Sequence, residues 1–148
     1  MEIERKFLVV EPPGDFGRFP ASRIAQGYLA DTPGCVRLRS RDEKTFFLTV
    51  KQGQGLVREE AEIEISRDQF DALWPLTAGR RLRKTRYKIP FGPHCIELDT
   101  FHGARTGLIM AEVEFSSEEE AAGFTAPEWF GEEVTDQPGY TNRALAVE

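Results

Sequence analysis

Thiols are scarce in this chain: among 148 residues only Cys35 and Cys95 are cysteines. Two cysteines make no disulfide framework, so packing must hold the fold, and both thiols are expected free in a reducing compartment. Histidine is equally sparse. His94 and His102 stand in loop-like surroundings without matching cysteine spacing, which argues against zinc. No apolar run approaches the ~20 residues that span a bilayer. The start is acidic at Glu2 and Glu4, where a secretory signal would be basic and then apolar. A cytoplasmic location without a membrane partner is therefore expected. Net charge is −6, so the broad basic surface that serves nucleic acid is missing. That balance leaves room for a local basic patch that binds an anion. Repeats, low-complexity tracts and long linkers are also absent, and the glycine-rich KQGQG lacks the residue order of a P-loop.

What is present fits one domain over residues 1–148, with apolar residues at 40 % and charged residues at 30 %. Short alternating segments separated by Gly, Pro and Asp clusters predict strands near 2–10, 24–30, 35–41, 45–52, 57–65, 81–90, 94–101 and 108–115. DTPG, RDEK, QGQG, FGPH and FHGARTG read as the loops between them. Three short helices are expected. One runs from Ser66 to Leu76 with Phe70, Leu73 and Trp74 on one face, one follows Ser116 or Ser117, and one covers Thr141 to Val147. The fold class is α+β, built on a large antiparallel sheet or barrel.

The charges on these strands are sorted. Alternate residues of a strand share a face, so MEIERKFLVV puts Glu2, Glu4 and Lys6 together, opposite Ile3, Phe7 and Val9. Arg37, Arg39 and Arg41 share a face, as do Thr49 and Lys51, and as do Arg58, Glu60, Glu62 and Glu64. Lys84, Arg86 and Lys88 align, Glu97 aligns with Asp99, and Glu112 with Glu114. A solvated face explains any one such strand. It explains the set poorly, because these faces are almost purely ionic, and like charges in one sheet repel. Lining the interior of a wide barrel explains it better. Clustered carboxylates suit a hard divalent cation, and arginine and lysine suit phosphate oxygens. One ligand satisfies both: a metal-chelated chain of phosphates.

The elements E-x-E-x-K (Glu2, Glu4, Lys6), R-L-R (Arg37, Arg39), E-x-E (Glu62, Glu64), K-x-R (Lys84, Arg86) and E-x-E (Glu112, Glu114), in that order, resemble the CYTH superfamily of triphosphate tunnel metalloenzymes. The resemblance runs nearly end to end and finishes with GEEVTDQPGYTNRALA. It implies an eight-stranded antiparallel tunnel barrel with a few short flanking helices. It also implies Mg²⁺ or Mn²⁺ as cofactor. Among the family's substrates, the compact length and QGYL look most like the small bacterial inorganic triphosphatases. The implied metal ligands are Glu2, Glu4, Glu62, Glu64, Glu112 and Glu114, with Asp99 as a further one. Lys6, Arg37, Arg39, Lys51, Lys84 and Arg86 would grip the triphosphate.

Tyr28 has two readings: a packed strand residue, or a hydroxyl beside Lys84 that serves catalysis as a base or water-orienter. Arg41, Arg58 and Lys88 prolong the basic faces. Arg80, Arg81 and Arg83 are placed at the tunnel mouth or in solvent, and Glu60 and Glu97 as balancing charges. Thr141 stands where relatives commonly carry Lys or Arg, so no phosphate contact is carried over to the C-terminal segment. Thiamine- or nucleoside-triphosphate hydrolysis, ATP cyclisation, and non-catalytic polyphosphate or nucleotide binding remain open beside inorganic triphosphate hydrolysis. A homodimer is compatible with all of them.

Overall fold

A computed structural model describes residues 1–31, 34–53 and 56–148. Its eight strands are β1 (Glu2–Leu8), β2 (Ala21–Ala30), β3 (Cys35–Arg41), β4 (Thr45–Gln52), β5 (Val57–Ile65), β6 (Arg81–Phe91), β7 (His94–Phe101) and β8 (Ile109–Phe115). They close in the order β1-β5-β4-β3-β2-β6-β7-β8 into a barrel, every neighbouring pair antiparallel. The expected strands are all present. Two boundaries moved by more than one residue: β1 stops at Leu8, and β2 begins at Ala21 because that residue pairs with Tyr87 of β6. The DTPG and QGQG loops fall partly on residues 32–33 and 54–55, outside the described residues.

Alternation gives the barrel a reversed polarity, with ions inside and apolar groups outside. Ile3, Ile96, Leu98, Ala111 and Val113 point outward and are buried under Phe16, Phe19, Phe124, Trp129 and Phe130. Leu38 and Phe46 of the opposite wall are covered by Phe70 and Trp74. These covers are why short helices exist at all. Helix α1 (Arg67–Leu73) opens on a Ser66–Gln69 capping box and passes through Pro75 into a 3-10 turn at Trp74–Thr77. Gly27 of β2 passes so near that turn that an added Cβ would lie 2.7 Å from Thr77 Cβ. Helix α2 (Glu118–Ala122) is capped by Ser117, and α3 (Asn142–Leu145) by Thr141, whose hydroxyl accepts from Ala144 N–H. Capping therefore explains Thr141.

One end of the barrel is stopped by apolar side chains. Tyr28, Leu82, Phe101 and Met110 point inward there and meet Val134, Leu145 and Ala146 of the C-terminal segment. The same segment completes the wall, because among the described residues β1 pairs with β5 at Glu2 and Ile3 alone. Beyond them, Leu8 N–H donates to Glu132 O at 2.8 Å and Val134 N–H to Lys6 O at 2.8 Å. Among the described residues no helix is long and apolar enough to cross a membrane.

Candidate functional site

Above the apolar stop the barrel encloses a cavity of about 370 Å³, lined by inward side chains of all eight strands. Nine of the residues assigned from sequence to the metal or the triphosphate line it: Glu2, Glu4, Arg37, Arg39, Lys51, Glu62, Arg86, Glu112 and Glu114. Lys6, Lys84 and Asp99 lie just behind that lining, each almost fully buried. Lys6 Nζ stands 3.6 Å from Glu4 and 3.7 Å from Glu112. Asp99 joins two strands through Lys84 Nζ at 2.8 Å and Arg86 Nε and Nη2 at 2.8 and 2.9 Å. Asp99 is 1 % exposed and stands outside the cavity lining, a positioning place and not the ligand place expected.

Two expectations are corrected. Glu64 lies exposed outside the cavity, opposite Phe47, and Glu60 stands beside Glu62 in the lining instead. The stagger of strands in a closed barrel moves the end of β5 clear of the interior. Tyr28 does not meet Lys84: its hydroxyl accepts from Gln26 Nε2 at 3.2 Å, while Lys84 donates to Asp99 and to Asn142 Oδ1 at 3.3 Å. Tyr28 instead lines a second, rear cavity of about 490 Å³, which shares Arg37, Lys51 and Asn142 with the first. Arg80 and Arg81 are drawn away from the mouth as well, donating to Tyr28 O, Leu76 O, Trp74 O and Thr77 Oγ1.

Sequence reasoning missed Gln26 and Asn142. Gln26 is wholly buried and accepts from Arg39 Nε at 3.1 Å. Its only signal was a polar residue on the inward alternation of β2. Asn142 reaches both cavities from the first residue of α3, a placement no local pattern announces.

The charges in the cavity are divided. Lys6, Lys51 and Arg86 are already neutralised: Lys6 by Glu4 and Glu112, Lys51 by Glu2 at 2.9 Å and Glu60 at 3.7 Å, Arg86 by Asp99, by Glu112 at 3.1 Å and by Glu97 at 3.4 Å. Burial raises Glu112 and Asp99, but lysine and arginine charges outweigh it and hold both carboxyls below their ordinary range. The arginines of β3 are different. Arg37 is buried, with Glu62 no closer than 3.9 Å and an Nε that finds no hydrogen-bond partner. Burial, then the charges of Arg37 and Arg86, push the Arg39 guanidinium down to about 10.

At the mouth the sign reverses. Burial, then Glu2, Glu4 and Glu97, raise the Glu114 carboxyl, and burial also raises Glu2 and Glu97. The β3 wall is short of negative charge, with Glu62 3.9 Å from Arg37, and at the rim Glu114 stands without an ion pair among the described residues while Lys51 holds Glu2 and Arg86 holds Glu97. Among the described residues no three carboxylates, imidazoles or thiols already converge on one point as a metal site. The donor set nevertheless consists of hard carboxylate oxygens in mutual repulsion, which suits a hydrated divalent cation. The histidines stay apart from it, His94 beside Glu120 and His102 beside Thr85.

Lys84 makes the site sensitive to pH. Burial, then the Arg86 charge, push its ammonium down to about 8 against the pull of Asp99. The cavity therefore loses a positive charge as pH rises through 8, and KM for an anionic ligand is expected to rise there. A pH profile of kcat/KM in which Lys84→Met lacks that limb checks the assignment. Stability moves the other way. The folded value lies below the ordinary 10.5, so the cost of burying the charge is complete below pH 8 and fades as pH climbs toward 10.5.

A family model described as the CYTH domain matches residues 1–140. The chain is 48 % identical to an inorganic triphosphatase of Nitrosomonas europaea, covering 99 % of this chain and 97 % of that protein. It is 34 % identical to an inorganic triphosphatase of Acetivibrio thermocellus, covering 97 % and 92 %. A solved inorganic triphosphatase structure superposes with a TM-score of 0.73 at 43 % identity, covering 100 % of this chain and 95 % of that one. A Pyrococcus horikoshii protein at 19 % identity shares the fold, with a TM-score of 0.62 over 82 % of this chain and 84 % of that one.

Proposed function

The chain belongs to the CYTH domain family, and from that membership we propose that it hydrolyses inorganic triphosphate to pyrophosphate and phosphate with Mg²⁺ or Mn²⁺. One observation carries the reading: a cavity whose β3 wall holds Arg37 and Arg39 against a single distant carboxylate, Glu62 at 3.9 Å from Arg37, opens at a mouth where Glu2, Glu4 and Glu97 raise the Glu114 carboxyl. A triphosphate with its own divalent cation supplies both missing charges. The similarity to inorganic triphosphatases over nearly the whole chain supports the choice of substrate. So does the lining, in which Met1 and Ile24 are the apolar side chains among the described residues, leaving nothing aromatic to stack on a base or thiazole.

Glu2, Glu4, Glu62, Glu112 and Glu114 would hold the cation, with Glu60 in place of Glu64. When bound, it neutralises phosphate charge and lowers the pKa of a coordinated water. Arg37 and Arg39 fork onto the non-bridging oxygens. Arg86 and Lys84, locked by Asp99, supply a fixed positive field beneath the scissile phosphate, and fixed charge is most of what phosphoryl transfer asks of a protein. Tyr28 acts at two removes, by orienting the Gln26 amide that orients Arg39. The outward apolar residues Val50 and Ile63 remain uncovered, and a homodimer would bury them.

Tripolyphosphate, ATP and thiamine triphosphate, each assayed with Mg²⁺ and with Mn²⁺, test the reading: phosphate release is expected from tripolyphosphate foremost. Preference for ATP or thiamine triphosphate would replace the substrate. Glu4→Gln and Glu114→Gln are each expected to lower kcat by at least about 10²-fold. Undiminished turnover in both would refute the carboxylates' role.

A further inference from the structure

The positive charge that the protein leaves unpaired does not stop at Arg39. Arg41, the next inward residue of β3, also lines the cavity, and among the described residues no carboxylate lies within ion-pair distance of it. Its guanidinium lies over the Phe47 ring, with the guanidinium carbon 5.1 Å from the ring centroid. Stacking engages the face of the guanidinium and leaves its five N–H donors free at the edge. The backbone beneath is fixed as well. Asp42 and Glu43 turn with φ of 53° and 55°, and Asp42 exchanges hydrogen bonds with Arg23 of β2 through its N–H and its Oδ1. Arg41 is thus held, charged and uncommitted.

Inward residues of a strand repeat about every 6.7 Å, close to the span of three linked phosphates. Arg37 and Arg39 therefore account for one triphosphate, and Arg41 lies a further step toward the mouth. We propose that a condensed phosphate lies along β3 and that Arg41, stacked on Phe47, is an outer phosphate subsite engaged by linear chains of four or more phosphates. This rests on the triphosphatase reading for the inner subsites.

The test is calorimetric binding of tripolyphosphate and tetrapolyphosphate without added metal, so that turnover does not intervene. Wild type, Arg41→Ala and Arg41→Lys are compared, and phosphate release is measured separately on the same proteins with Mg²⁺ and with Mn²⁺ added. Wild type is expected to bind the longer chain more tightly. Arg41→Ala should reduce that preference about tenfold, as for loss of one charged hydrogen-bonding group. Arg41→Lys, which keeps the charge but not the fork, should fall between. A preference unchanged within twofold in Arg41→Ala, or equal binding of both chains by wild type, would overturn the subsite. A preference that depends on Arg41 without any phosphate release would support the subsite while overturning the hydrolytic reading.

Discussion

Arg39→Met is expected to lower kcat/KM for tripolyphosphate by about 10³-fold and at the same time to make the protein more stable. The two effects share one cause. Among the described residues Arg39 hydrogen-bonds the neutral Gln26 amide and no carboxylate, and burial beside Arg37 and Arg86 pushes its guanidinium down to about 10, so the empty fold holds this charge at a cost. Substrate oxygens repay that cost when they arrive. Methionine fills similar volume without the charge, and a gain of about 1–2 kcal/mol in unfolding free energy is expected. Urea denaturation and steady-state kinetics on the same preparation check both halves. A variant that is both active and less stable would mean that Arg39 serves the fold.

Asp99→Asn should do the opposite to stability. Asp99 is buried and accepts three hydrogen bonds from two cations on the neighbouring strand β6. Removing its charge while keeping its shape leaves Lys84 and Arg86 under-compensated in the interior, at a cost of about 3–5 kcal/mol. In a domain of this size that is a fall in Tm of roughly 10 °C. Adding Lys84→Met to Asp99→Asn should recover part of the loss, because one of the stranded charges is then gone. If Asp99→Asn melted like wild type, Asp99 would not be the residue that anchors the two cations.

The ionic stripes were legible because strand alternation is local. Once Glu2, Arg37, Arg39 and Glu114 are known to face one way, a closed sheet leaves them only the inside. Helices α1, α2 and α3 were legible from Ser66, Ser117 and Thr141, since a cap is written within four residues. Glu64 was misplaced because strand stagger is a property of the closed barrel, and a two-residue step on β5 decides between lining and rim. Tyr28 was misplaced for a related reason: Gln26, two residues away on the same face, takes its hydroxyl before Lys84 can. Asn142 was invisible, because only closure of the chain end against the barrel brings it to Lys84.

Arg37 and Arg39 of β3 are expected to be the cradle of a triphosphate. A crystal structure of the protein with imidotriphosphate, an analogue that resists hydrolysis, tests it most directly. Phosphate oxygens are expected within hydrogen-bond distance of the Arg37 and Arg39 guanidinium groups, inside the barrel. An analogue seated elsewhere, with both guanidinium groups as they stand in the empty cavity, would contradict it.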